Sequence, residues 1–289
     1  MNVQTLKYAF MTASCPDLEF AEVLALARQD RYDGIELRVS NDHKHGVEFT
    51  SSLEERKIAK QDAADAGVAL CCVATSCRFA DPETVAAALA DTHLAIDLAG
   101  DLEAPCVRIF GGVIGTGLSR DEAVDSVVRA MNDLKEHAGD RGVRLGLETH
   151  DDWCDPAHLV RVVQEVDHDA VGINWDLMHP VMTADQTIDE AFEAVKPWLV
   201  HVHFHDGYWE GEGKNKRVMA PMGEGVIDHR RALQLLHSIN YDGFVSGEWI
   251  RWKPHSEYLA QELETLKSYE AELRGTGRIE KNVEFLVAS

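Results

Sequence analysis

Five shortages narrow what this chain does. It has 28 basic side chains against 50 acidic ones, a formal charge of −22. That imbalance repels polyanions, so nucleic acid and anionic membrane surfaces are poor partners. No uninterrupted apolar stretch approaches the length needed to span a bilayer. The opening MNVQTLKYAFM has no basic end followed by a long apolar core, so no signal peptide is expected and the protein is expected to be cytoplasmic. Six cysteines, at 15, 71, 72, 77, 106 and 154, form no CxxC and several sit in apolar runs, which is the pattern of reduced, buried thiols. No GxGxxG follows the first apolar run, which argues against a dinucleotide site on an open doubly wound sheet.

Against those absences stand four short apolar runs, each ending in an oxygen or nitrogen donor: Val143–Glu148, Val171–Asp176, Leu199–His205 and Phe244–Glu248. Strand alternation splits each into two faces. One carries Leu145, Leu147, Ile173, Trp175, Val200, Val202, Phe204 and Val245. The other carries Gly146 and Glu148, Asn174 and Asp176, His201, His203 and His205, and Ser246 and Glu248. Buried carboxylates and imidazoles need partners, and converging ones share a divalent cation most easily. The pattern points to an enzyme.

Further strand-like runs lie near Lys7–Met11, Gly34–Val39, Ala69–Ala74 and Cys106–Phe110. Amphipathic stretches separate them: Asp17–Gln29, Leu53–Ala66, Pro82–Gly100, Arg120–Ala138, Pro156–Glu165, Thr187–Val195, His229–Ser238 and Ser256–Leu273. Eight strands alternating with eight helices predict a parallel (β/α)8 TIM barrel. It is expected to be a single domain over 1–289, with a C-terminal helix and tail from about 255. The spacing between donors is 28 residues from Glu148 to Asp176 and 27 from Asp176 to His203, but 45 from His203 to Glu248. The surplus falls in Asp206–Ile227, a Gly- and charge-rich segment read as a long loop on the carboxyl face of the barrel.

At these residues the chain resembles the xylose-isomerase-like TIM-barrel superfamily of sugar isomerases, epimerases and inosose dehydratases. The motifs are GIEL at Gly34–Leu37, VRIFGG at Val107–Gly112, LETH at Leu147–His150 and WDLMHP at Trp175–Pro180. HVHFHDG at His201–Gly207, GEGVID at Gly223–Asp228 and SGEW at Ser246–Trp249 complete the set. The resemblance implies one divalent metal ion held by Glu148, Asp176, His203 and Glu248, with His203 chosen from the three histidines on its face. Three carboxylates and an imidazole suit Mn²⁺ or Mg²⁺, with Co²⁺ or Zn²⁺ as alternatives. His201 and His205 are then hydrogen-bonded interior or supporting histidines.

Such a metal would polarise a carbonyl and an adjacent hydroxyl and stabilise an enediolate, while Glu148 and Glu248 move the carbon-bound proton. Return of the proton decides between epimerisation and isomerisation, and loss of a β-hydroxyl gives a lyase. The substrate is expected to be a carbohydrate or polyol: a neutral sugar, keto-sugar or cyclitol. An endonuclease-IV-like repair enzyme and a non-catalytic sugar-binding barrel fit the residues less well. His179 resembles a histidine that bonds a substrate oxygen. Glu36 and Arg108 share inward parity, as an interior ion pair or as substrate contacts, and His150 and Asp152 lie just past the Glu148 run. Where keto-sugar epimerases carry a further Glu and an Arg, this chain has Cys154 and Trp209. The middle of the long loop, Trp209–Met219 with Lys214, Lys216 and Arg217, is read as a lid or as a subunit interface. A homo-oligomer, dimer or tetramer, is expected.

Overall fold

The computed structural model describes residues 5–211 and 216–275. Within them eight parallel strands close on themselves. In chain order these are β1 (Lys7–Met11), β2 (Gly34–Arg38), β3 (Ala69–Arg78), β4 (Cys106–Phe110), β5 (Arg144–Glu148), β6 (Val171–Asp176), β7 (Leu199–Phe204) and, after two further strands, β10 (Phe244–Gly247). Their order around the barrel is β1, β10, β7, β6, β5, β4, β3, β2. The expected strands are therefore present with bounds shifted by a residue or so, except that β3 runs on to Arg78.

Helices fill the gaps where the sequence supplies caps. Ser52 with Glu55 opens α2 (Leu53–Ala66), Ser119 with Glu122 opens α4 (Arg120–Asp140), and Thr187 with Glu190 opens α7 (Ile188–Val195), each as a reciprocal capping box. Asp155 caps α5 (Pro156–Val166) with proline in its first turn. Asp81-Pro82, read as another such start, instead makes a turn, and the helix there, α3 (Val85–Leu102), begins three residues later. The Asp81 side chain accepts from the Glu83 amide, a local bond that competes with helix.

The core lies between strands and helices. Leu145, Leu147, Ile173, Trp175, Val202, Phe204 and Val245 are all buried there, on the outward faces the alternation assigned them. The C-terminal helix α9 (Leu259–Gly275) is tied to β1 through Glu270, which accepts from the Leu6 amide and the Tyr8 hydroxyl, each at 3.1 Å. No helix among the described residues is long and apolar enough to cross a membrane.

The segment Asp206–Ile227 is more ordered than a loop. It holds an antiparallel hairpin of β8 (Asp206–Glu210) and β9 (Lys216–Ala220). Asp206 gathers both ends of the segment, since its carboxylate accepts from the amides of Gly207, Gly223, Gly225 and Ile227 at 2.8–3.2 Å. A Cβ at Gly225 would lie 2.0 Å from that carboxylate, so only glycine lets the chain pass. Gly213 and Lys214 lie outside the described residues.

Candidate active site

The four inward donors meet at the carboxyl end of the barrel. One ligand atom each from Glu148, Asp176, His203 and Glu248 lie within 4.8 Å of one another, and all four residues are buried. Strand register produces this: Glu148 pairs with Asn174, Asp176 with His203, and Ser246, two before Glu248, with His203. Thr149 ties the β5 and β6 ends together. Its hydroxyl accepts from the Asp176 amide at 2.9 Å and donates to the Asp176 carbonyl at 3.1 Å.

The imidazole of His203 is held from both sides. Nδ1 stands 2.6 Å from Glu148 Oε1 and 3.4 Å from Glu248 Oε2, while Nε2 lies 3.1 Å from both oxygens of Glu36. Burial alone would lower its pKa, but Glu36, Glu148 and Glu248 raise it well above the ordinary value. Asp176 shows the converse. Burial would raise its carboxyl, but His205, by its charge and its hydrogen bond, holds it far below the usual range. Its Oδ1 accepts from the amides of Met178 and His179, and its Oδ2 is 2.7 Å from His205 Nε2. Glu248 is likewise held down at about 2, against its burial, by His203 and Arg108.

Glu36 and Arg108 do not pair as an interior ion pair. Arg108 lies 3.3 Å from Glu148 and 3.7 Å from Glu248, and its Nη1 donates to the Thr75 carbonyl at 2.6 Å. Glu36 is fully buried, with its oxygens engaged by His203 and His201. Strand parity put both on the right face but could not give the partner across the barrel. Glu36 thus acts through a candidate ligand, and Arg108 spans the two glutamates.

Above this ring, His179 and His150 stack edge to face at 4.3 Å. His150 Nδ1 is 2.9 Å from Asp151 Oδ1. Burial holds His179 neutral, at about 3. Asp152 points elsewhere and accepts from the Ile114 amide. Cys154 and Trp209 are also occupied, the thiol with the Asp151 carbonyl and the indole N–H with the Met182 carbonyl. Lys216 pairs with Glu210 at 2.7 Å on the solvent side. Sequence reading missed Arg38, two residues past Glu36 and of the same parity. It is buried, and its guanidinium donates to the carbonyls of Val39 and Ala74 and to Ser76. The signal was there in the alternation; no motif marked it.

Do these residues fit a divalent cation? Four buried carboxylates, with Glu36 counted, outnumber the cations beside them, Arg108 and the imidazoles of His203 and His205, and Glu148 Oε2 has the Arg108 ion pair at 3.3 Å but no hydrogen bond among the described residues. The donor set is hard and oxygen-rich. It fits.

A model of the xylose isomerase-like TIM barrel matches residues 24–269. The chain belongs to this family. A 2-oxo-tetronate isomerase of Haemophilus influenzae is 25% identical over 179 residues, 58% of this chain and 64% of that protein. The chain thus matches less than two thirds of that relative's length. Among solved structures, a probable 3-DHS dehydratase of petrobactin synthesis from Bacillus anthracis matches with TM-score 0.75 at 20% identity, covering 91% of this chain and 99% of the other. A 3-keto-D-glucoside 4-epimerase from E. coli matches with TM-score 0.74 at 16% identity, over 91% and 100%. At such identities the structural matches speak for the fold.

Proposed function

We propose that this barrel is a divalent-metal-dependent isomerase or epimerase of a sugar, keto-sugar or cyclitol. The observation that carries the reading is the ring itself, in which two glutamates and two further donors meet within 4.8 Å. Glu148, Asp176, His203 and Glu248 would hold the ion, which supplies Lewis-acid stabilisation of negative charge on substrate oxygens.

The proton chemistry belongs to the chain. β5 and β10 stand three places apart around the barrel, so Glu148 and Glu248 approach the centre from different directions. One glutamate takes the proton from the carbon next to a carbonyl, and the same or the other returns it. Glu248 is the slightly more open of the two, at 6% exposure against 0% for Glu148, and is the better placed to meet a ligand entering from the mouth. Arg108, alongside both, keeps their charges from opposing each other. His179, held by its amide on Asp176, offers a ring nitrogen to a substrate oxygen.

A lyase on the same scaffold is the second reading. The His150–Asp151 pair beside His179 favours it, because a hydroxyl leaves readily only if a nearby acid protonates it. Incubation in D₂O with Mn²⁺ and a panel of ketoses, inososes, keto-acids and 3-keto-glycosides decides between them. Deuterium in an epimer or isomer supports the first reading, and an unsaturated, dehydrated product supports the second. No exchange and no product from any member rejects both.

A further inference from the structure

The hairpin β8–β9 brings one cation to the mouth of this site. Cross-strand pairing puts Trp209 opposite Arg217 and Glu210 opposite Lys216. Paired side chains share a face, so the hairpin has two. The Glu210–Lys216 face is exposed. The Trp209–Arg217 face lies against the short helix α6 (Met178–Thr183), where the Trp209 indole donates to the Met182 carbonyl at 3.2 Å and Arg217 Nη1 donates to His179 Nδ1 at 2.7 Å. The arginine is thereby seated over the catalytic ring, one side chain away from a residue whose amide is bonded to Asp176.

That single bond has two consequences. A guanidinium does not give up its proton, so His179 Nδ1 must be the acceptor, and its one ring proton sits on Nε2 as a donor. The bond also leaves the guanidinium charge uncompensated, because no carboxylate among the described residues lies within ion-pair distance of Arg217. Arg56, Arg141, Arg161, Arg230 and Arg231, on the outside of the barrel, each hold an aspartate or glutamate. Arg38 and six other described arginines also lack a carboxylate, so what distinguishes Arg217 is its seat on His179; the Arg38 donors are taken by two carbonyls and a hydroxyl. Arg217 has one described hydrogen bond and five N–H donors in a fork that matches an oxyanion.

We propose that Arg217 is an oxyanion receptor, and that the molecule processed here carries a carboxylate or a phosphate which Arg217 binds while His179 Nε2–H donates to a neighbouring oxygen. The ring below, rich in carboxylates, repels such a group, so a dedicated cation is what would let an anionic substrate enter. The net charge of −22 is a sum over the whole chain and does not fix the field over this mouth. The proposal depends on the catalytic reading only in calling the ligand a substrate.

The test is calorimetric binding to the intact, Mn²⁺-loaded protein of three probes that differ at one terminal carbon: xylitol, xylonate and xylitol 5-phosphate. At least one anion should bind roughly 10- to 100-fold more tightly than xylitol. Tighter xylonate identifies a sugar acid, and tighter xylitol 5-phosphate a sugar phosphate. R217M should abolish the preference and R217K should retain part of it. Arg217 is exposed, so neither change threatens the fold. Equal affinity across the three, no measurable binding of either anion, or a preference unchanged in R217M overturns the proposal. Proton exchange is measured separately. An Arg217-dependent preference without exchange would reject the isomerase reading and leave the receptor standing.

Discussion

The ring of donors and the hairpin above it are built on opposite plans. Each ring residue sits at or just past a strand end inside a closed barrel, and Glu148, His203 and Glu248 are tied across it to one another and to Arg108 or Glu36. His203 alone touches Glu36, Glu148 and Glu248. The hairpin has one seam, its Trp209–Arg217 face on α6, and one organiser, Asp206 at its base. The difference separates two tasks. On the function proposed above, proton transfer needs carboxylates fixed to a fraction of an ångström, whereas the choice of substrate would fall to the hairpin.

The sharpest way to break this division is to attack the ring. Glu148→Gln and Glu248→Gln should each lower proton exchange by about 10³-fold or more, because an amide cannot accept the proton. Bound metal should fall much less, since the amide oxygen can still ligate. Near-normal exchange in either variant removes that glutamate from the chemistry. Asp176→Ala should instead empty the site, taking metal from near one ion per chain to near none by elemental analysis. A mutant as metal-loaded as the parent would mean that the ring is not the metal site.

A weaker effect is expected one layer out. Glu36→Gln leaves the ring intact but replaces the acceptor behind His203 Nε2 with a group that can accept at only one atom. Metal affinity should fall by roughly 10- to 100-fold, the usual result of losing a carboxylate behind a ligating histidine. Competition with a fluorescent chelator measures it. An unchanged Kd would show that Glu36 serves only the barrel interior.

How far the sequence disclosed these regions depends on the same contrast. Alternation along Val171–Asp176 or Leu199–His205 places every donor on its face, because a buried strand has period two and a closed barrel allows no slip. What alternation does not encode is partnership across the barrel. Glu36 and Arg108 looked like a pair because both point inward, yet they sit on strands separated by β3 and reach different groups. The hairpin was read as a loop for a local reason. Gly207, Gly211 and the lysines dilute its pattern, and its pairing depends on Asp206 gathering amides up to 21 residues away. Arg217 was visible as a charge, but its seat on His179 was not.

Hairpin alterations should therefore act on substrate use rather than on the ring. Replacing residues 211–215 by a two-residue link should raise KM or lower kcat by about 10-fold, with metal content and oligomer size unchanged. A shortened variant that dissociates while keeping its per-chain kinetics would assign the hairpin to a subunit interface instead.

The smallest effect lies at the far end of the same segment and bears on stability alone. Glu262 on α9 accepts from the Met222 amide at 2.9 Å, just before the glycines that Asp206 holds. Burial, with Asp206 and Glu224 nearby, pushes its carboxyl up to about 7, while the Met222 amide and Lys253 pull the other way. The folded protein thus keeps a proton here that an unfolded glutamate releases near pH 4.5. Between those values the folded state binds more protons, so stability falls as pH rises and levels off above about 7. The whole shift sets an upper bound of about 3 kcal/mol on the effect. Glu262→Gln keeps an acceptor for the Met222 amide but carries no charge, so it should stabilise the protein at pH 8 and change little at pH 4.5. Urea melts of both proteins at the two pH values give the comparison. If the variant is no more stable than the parent at pH 8, Glu262 is ionised without cost and the clasp on this segment is solvated.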